Sequence, residues 1–422
     1  MRAPIASWKG RFGCILILLA LLGACAYGWR QWRLAHPDRS HVMTALTQNM
    51  RTHCVGRLLI DLPEGSTWKP DASGATIGGV KISVVTEMSH EQFKQLVGKR
   101  WQEIRELKAD NYGNSYRRPS ERFGNPEENG FVFAYQYEGV EGLAEDDETV
   151  IERVFHTAEG YYWADGTLFK LGPALNGQEK IAALLPRLYA RKADEIPFSP
   201  GLCLNGGFVR GYYDLGEREE VSWGFSLPRM LGLVIRHTAV RSPMQPLLER
   251  NREAEREMAA FVARILAQSN VVAGNTVYRQ AARSEGAMDG QEYAMGGTQE
   301  ENPASFKTNV AAEWAFPGAG LPSPQPSVAV SMGSTFRTSS KPLSLGAFPE
   351  AQDTPDGPTE AEFFEVWDAV VASVRFRPGA LTPPPLKPAP APPTSREQAE
   401  VDQRALDDFI ASRPGVSGKP SE

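Results

Sequence analysis

Histidine and cysteine are scarce in this chain. Its 422 residues hold six of the first and four of the second, and none falls into a His-Glu-x-x-His, Cys-x-x-Cys or comparable paired spacing, so no metal centre is expected. No Gly-x-Ser-x-Gly elbow occurs, which removes the simplest α/β-hydrolase signal. No glycine-rich loop ends in Lys-Ser or Lys-Thr to cradle a phosphate, and Gly78-Gly79 and Gly206-Gly207 are isolated pairs that read as turns. The body histidines His53, His90, His156 and His237 lack sequence-local partners, which leaves open only a triad assembled from distant residues. Basic charge is short as well: 45 Lys and Arg stand against 51 Asp and Glu, for a net charge of −6. A chain with no basic stripe is not expected to bind nucleic acid. The sequence thus predicts no catalytic residue and no cofactor.

What is present begins at the N-terminus. Arg2, Lys9 and Arg11 precede an apolar run from Cys14 to Leu22, and Leu22-Gly23-Ala24-Cys25 closes it. A charged start, a short apolar core and small residues before the break compose a secretory signal, and the small-small-Cys ending resembles a bacterial lipobox. In that reading residues 1–25 are the leader, Cys25 is the lipidated first residue, and Ala26 behind it resembles the outer-membrane sorting pattern. The alternative is an uncleaved anchor from Cys14 to about Trp29, with Arg30 and Arg33 beyond it. That run is shorter than the roughly 18 residues of a spanning helix. Both readings place the body in the periplasm and hold it to a membrane, with residues 26–49 as a tether. The mature body then keeps only Cys54 and Cys203, either as a disulfide in an oxidising compartment or as two separately buried thiols.

The two cysteines open an internal repeat. Cys54 begins a β-like run to Pro63, and Cys203 begins another to Gly211. After the first come a strand over Ala75 to Val85 and a helix with Phe93, Val97, Trp101, Ile104 and Leu107 at helical spacing, started by a Ser89/Gln92 capping box. After the second come strands over 221–225 and 231–240, then a helix from Met244 to Gln268 with an inner stripe of Leu247, Ala254, Met258, Phe261, Ile265 and Leu266. Each helix leads into a meander. The first is expected near 115–123, 131–138, 149–156 and 161–171, with a closing helix over 178–193. The second is expected near 271–283, 291–296, 307–316 and 327–337, with a closing helix from Thr359 to Val374 capped by Thr359 and Glu362. Strands grouped beside helices, without regular alternation, indicate an α+β fold of two related lobes with antiparallel sheets. The lobes are expected at 50–194 and 195–377, divided where Ile196-Pro-Phe-Ser-Pro200 breaks helical structure.

Beyond the second lobe, eight of the sixteen residues from Pro378 to Pro393 are proline, which predicts a stiff linker over 378–394. A polar tail over 395–422 follows, with a short helix expected at Ser395 to Ser412, either docked or solvated. Three surface features stand out: the acidic stretch from Glu141 to Glu148, the aromatic Tyr161-Tyr162-Trp163, and the Pro/Gly-rich loop from Pro317 to Pro326. Each has a plain structural reading as solvated loop, core strand or spacer, beside a recognition role.

Thr52-His-Cys54-Val-Gly56-Arg57-Leu-Leu-Ile-Asp61-Leu-Pro63, followed by Gly201-Leu-Cys203-Leu-Asn-Gly-Gly-Phe, resembles the immunity proteins cognate to class-four phospholipase effectors of type VI secretion. The likeness runs from about 45 to 377. It rests on Cys54, Gly56, Arg57, Asp61 and Pro63, on the repeat, and on the leader. It implies two α+β lobes exported to the periplasm and a chain that is no enzyme but binds a secreted phospholipase and occludes it. It does not name partner-binding residues. An envelope lipoprotein that carries a small apolar ligand or scaffolds a machine is the alternative.

Overall fold

The computed structural model describes residues 8–39, 44–107, 120–123, 129–143, 150–266, 273–302, 305–321, 323–339, 346–348 and 356–385. The start of the strand expected at 115, most of the acidic stretch 141–148, the end of the helix expected at 268, most of the proline-rich linker and the tail lie outside them.

A helix, α1 (Trp8–Ala35), precedes two runs of nine strands. The first comprises β1 (Met50–Val55), β2 (Leu58–Pro63), β3 (Thr67–Ile77), β4 (Val80–Val85), α2 (His90–Glu106), β5 (Glu121–Phe123), β6 (Gly130–Leu143), β7 (Val150–Ala164), β8 (Thr167–Leu175), α3 (Gln178–Leu184) and β9 (Leu188–Ala190). The second comprises β10 (Gly201–Leu204), β11 (Gly207–Arg210), β12 (Glu219–Leu227), β13 (Leu231–Thr238), α4 (Leu247–Leu266), β14 (Ala273–Glu285), β15 (Met288–Asn302), β16 (Ser305–Phe316), β17 (Ser327–Thr338), α5 (Glu360–Ala372) and β18 (Arg375–Phe376). All the described pairings are antiparallel. The fold is α+β.

Each half supplies six consecutive strands to one twelve-stranded sheet, ordered β14-β15-β16-β17-β13-β12-β3-β4-β8-β7-β6-β5. The halves meet where β3 pairs with β12, from Glu219 opposite Ile77 to Ser226 opposite Thr67. Read outward from that seam, both halves follow the same course: a hairpin, a helix, then a four-strand meander whose last strand returns beside the hairpin. Two three-stranded sheets repeat the theme. Closing strand β9 joins the hairpin β10-β11, whereas β18 at the end of the second half returns to β1-β2 at the start of the first. The chain therefore closes on itself.

Period-two burial drives the sheet. Along β13, Leu231, Leu233, Ile235 and His237 point inward, and along β16 Phe306, Thr308, Val310, Ala312, Trp314 and Phe316 do so. The stripe Phe93, Val97 and Ile104 seats α2 on Phe131, Phe133, Tyr135, Tyr161 and Leu168, each buried side chain contributing about 1.5–3 kcal/mol. The capping boxes at Ser89/Gln92 and Thr359/Glu362 are both formed. α5 is buried nearly all round, through Phe363, Phe364, Val366, Trp367, Val370 and Val371 together with Glu365 and Asp368.

Two local expectations are corrected. The helix expected over 178–193 stops at Leu184, passes a 3-10 turn at Leu185–Arg187 and becomes β9. Pro186 lacks the N–H that an α-helix would need there, and Leu188 and Tyr189 gain ladder partners on β11. The run Ala75 to Val85 is a hairpin turning at Gly78-Gly79, both at positive φ. Within the segment expected as a tether, residues 26–49, α1 runs on to Ala35, and Thr44 and Thr47 dock on α5. Glu365 Oε1 accepts from the Thr44 N–H (2.7 Å) and from the Thr44 and Thr47 hydroxyls (2.8 and 2.5 Å).

Candidate functional site

Cys54, in β1, and Cys203, in the repeat-related β10, form a disulfide with Sγ atoms 2.03 Å and Cα atoms 5.8 Å apart. Two residues on, Gly56 exchanges backbone hydrogen bonds with Cys203, N–H to carbonyl at 3.0 and 2.8 Å. Gly56 sits at φ +56°, and a Cβ on it would lie 1.9 Å from Nε2 of His237. Only glycine fits there.

Arg57 reaches into the second half. Its Nε and Nη2 donate to the two carboxylate oxygens of Glu219 at 2.6 and 2.5 Å, its Nη1 donates to the Ala380 carbonyl, and Nη2 also reaches the Tyr212 carbonyl at 2.9 Å. The guanidinium lies 5.2 Å from the centre of the Tyr213 ring. Its backbone N–H donates to Nε2 of His237 at 3.2 Å. Burial and then the Arg57 charge push the His237 pKa down to about 3, so this imidazole is neutral and accepts. Asp61 forms two 3.2 Å hydrogen bonds with Arg375, and its N–H donates to Ser373 Oγ at 2.8 Å. Pro63 offers its carbonyl to the Ser66 N–H and hydroxyl, closing the turn into β3. Four of the five motif residues thus bind the second half, so the motif is a lock between repeats.

The repeat supplies a matched pair of buried arginines that their sequence context conceals. Arg191 follows β9 and Arg377 follows β18; their N–H groups donate to the carbonyls of Gly206 and Arg57, the equivalent turns of the two cysteine-led hairpins. Neither side chain is described with a carboxylate partner. Arg191 donates to the carbonyls of Gly207, Ala193, Glu195 and Leu204, and Arg377 to those of Pro197, Ser199 and Gly201. Burial lowers the pKa of both, that of Arg377 to about 10, so Arg377 stays charged at neutral pH. Between them they hold the join from Ala193 to Gly201. A lone arginine after a short strand reads as solvated; only its recurrence at the end of both repeats is a usable signal.

Several other buried charges, by contrast, are paired with an opposite charge. Asp368 of α5 binds Arg279 and Arg283, and Arg283 also meets Glu292 at 2.9 Å. Glu159 accepts from Arg100, Tyr135 and Tyr161. Tyr161 is therefore core, and the Trp163 indole donates to the Met88 carbonyl at 2.8 Å. His53 packs on Phe225, His90 on Phe93 and Trp163, and His156 on Tyr137. Among the described residues no group of three His, Cys, Asp or Glu side chains is arranged to hold a metal ion. Cys25 lies exposed on α1.

Two concave features stand out among the described residues. At the seam, Trp68, Ile82, Val84, Leu204 and Trp223 line a cleft of about 170 Å³. A larger one, about 820 Å³, lies between the end of α1 and β14 with α5, lined by Trp29, Arg33, Arg39, Arg279 and Phe364 among others. The exposed large apolar side chains include Phe198, Tyr212, Met230, Met244 and Leu321, the last in the Pro/Gly-rich loop. Exposed apolar side chains of this kind are available to a protein partner.

Comparison with known proteins agrees. The immunity protein TplEi of the type VI secretion system from Pseudomonas aeruginosa has the same fold, with a TM-score of 0.53 at 20% identity over 80% of this chain and all of that one. The Tle4-Tli4 complex contains a chain matching at a TM-score of 0.55 and 19% identity, over 79% of this chain and 99% of that one. TplEi complexed with an "L" peptide matches at 0.52 and 20%, with the same coverage. No curated protein matches the sequence. Residues 51–183 match the N-terminal domain, and residues 195–379 the C-terminal domain, of Tle cognate immunity protein 4, and the chain belongs to that family.

Proposed function

We propose that this chain is a periplasmic immunity protein that binds a type VI secretion phospholipase and occludes its substrate entrance. The observation that carries the reading is the match of both family domains to two halves that the structure locks together. A phospholipase must present an apolar acyl site, and a tight inhibitor needs a rigid surface that buries about 1,200 Å² or more against it. A disulfide, a buried Arg57–Glu219 pair and a continuous sheet supply that rigidity. Occlusion asks for no catalytic group in the inhibitor. That a relative was solved as a Tle4-Tli4 complex supports binding to such an effector.

The N-terminus suits membrane attachment through Cys25. No described helix is long and apolar enough to cross a membrane. Directly after Cys25, α1 exposes Tyr27, Trp29 and Trp32, interleaved with Arg30 and Arg33. Aromatic and basic residues in that mixture favour a lipid headgroup layer. Attachment there would concentrate the inhibitor where a phospholipase acts.

The deciding experiment titrates the cognate phospholipase effector with the purified chain, following ester hydrolysis and co-elution. Loss of activity near one equivalent with a stable complex supports the reading. Full activity and no complex with folded protein overturns it.

A further inference from the structure

Two aromatic side chains at the join of the repeats face solvent while their backbones are held from beneath. Phe198, between β9 and β10, is 86% exposed, and Tyr212, just after β11, is 46% exposed. The carbonyls flanking Phe198, those of Pro197 and Ser199, both accept from Arg377, whose third acceptor is Gly201. Arg377 is 1% exposed, and its guanidinium lies 5.4 Å from the Phe208 ring centre. The Tyr212 carbonyl accepts from Arg57. A hydrogen bond from the Gly211 N–H to the Pro200 carbonyl, 3.1 Å, joins the two segments, so both aromatics stand within two residues of it.

Physically this is an odd use of stability. A buried guanidinium answered by carbonyls rather than a carboxylate is costly, and an exposed phenyl ring forgoes its burial. Together they present an apolar side chain on a backbone held at both flanking carbonyls. Such preorganised aromatics are what dominate protein interfaces, because little order remains to be imposed on binding. Lys192, Asp194 and Glu195, three to six residues before Phe198, and Arg210, two before Tyr212, are exposed, giving flanks of both signs. Two carboxylates in those flanks disfavour an anionic lipid surface, whereas polar flanks around an aromatic centre fit a protein.

We infer that Phe198 and Tyr212 form an anchor that inserts into an apolar surface of the cognate effector, with Arg377 and Arg57 as positioning residues. The inference rests on the proposed immunity role and gives the family motif a second task. Beyond locking the repeats, Arg57 fixes one of the two anchor segments.

The test uses the full chain against its lipase. Phe198→Ala should weaken inhibition and complex formation by about 30-fold or more, the scale of an interface hot spot, and Phe198→Ala/Tyr212→Ala should weaken them further. Both variants should melt as the wild type does. Arg377→Ala should also weaken inhibition, but add little in the Phe198→Ala background; an undiminished effect there would reduce Arg377 to a structural role and overturn that part. Wild-type inhibition retained by both aromatic variants overturns the anchor. So does a dimer of the free chain that Phe198→Ala abolishes without affecting inhibition. Failure of the wild-type chain to inhibit overturns the immunity reading instead, which keeps the two distinguishable.

Discussion

Arg57 and Glu219 meet in two parallel hydrogen bonds across 162 positions of sequence, with both side chains 1% exposed. One lies in the first hairpin of the first half and the other opens the seam strand of the second. Breaking such a pair by removing one partner leaves a buried charge unanswered, which costs about 3–5 kcal/mol. Glu219→Ala is expected to lower stability by that amount in urea unfolding, and Arg57→Met by a similar amount. The combination Arg57→Met/Glu219→Leu should recover part of the loss, because neither charge then remains. A double variant as unstable as the sum of the single ones would show that the two side chains are not coupled, and would remove the pair from the account of the seam.

The disulfide makes a separate contribution. Cys54 and Cys203 are 149 residues apart in sequence, and cross-linking a loop of that size restricts the unfolded chain, typically by about 2–4 kcal/mol. Reduction, or Cys203→Ser, is expected to lower the melting temperature while leaving the sheet intact, since the Gly56–Cys203 backbone pair persists. An unchanged melt, with two free thiols by mass in the protein before reduction, would remove the bond from the account.

Local patterns disclosed much of this architecture, and distant pairings almost none of it. The stripe Phe93, Val97 and Ile104 and the two capping boxes are written within one or two helical turns, so spacing alone discloses them. The repeat was legible through its cysteines and its order of elements. The return of β18 to β2 was not, because Arg375 and Phe376 form too short a run to announce a strand. Glu219 and Arg377 carry no local mark for a related reason, and His237 reads only as a histidine without a sequence-local partner. Each earns its place from a partner in the other half, and a single charged residue in a local window reads as solvated.

Stability should fall on mild acidification, and His237 sets the sign. Folded, its pKa is about 3, lowered by burial and then by Arg57; unfolded, it is about 6.5. The unfolded state therefore binds the extra proton between those values, and stability present above pH 6.5 is lost as pH falls toward 3. Each pH unit in that window costs about 1.4 kcal/mol for a fully lowered group. Between pH 6.5 and 5 the loss from His237 is about 2 kcal/mol. His53, also lowered chiefly by burial, acts in the same direction. His237→Gln keeps an acceptor for the Arg57 N–H and carries no titrating group, so its stability should depend less steeply on pH over that range. Equal slopes for the variant and the wild type would assign the acid sensitivity elsewhere.

Attachment at Cys25 makes a prediction that distinguishes a lipid from an uncleaved helix. Cys25 is exposed on α1, and the aromatic and basic residues follow it at once. If Cys25 carries the lipid, Cys25→Ser should abolish acylation, measured by labelled fatty acid, and shift the protein out of the membrane fraction. The aromatic segment alone should hold it weakly and release it in salt, because headgroup attraction of arginines is screened within about 10 Å at 0.1 M ionic strength. Firm retention of the unacylated variant at its full unprocessed mass would mean that residues 8–35 anchor the chain themselves. Protection against the incoming lipase separates the consequences of the two outcomes. A released but folded variant that still neutralises its lipase in solution, yet protects cells less well, would show that attachment acts by raising local concentration at the membrane and takes no part in the binding surface.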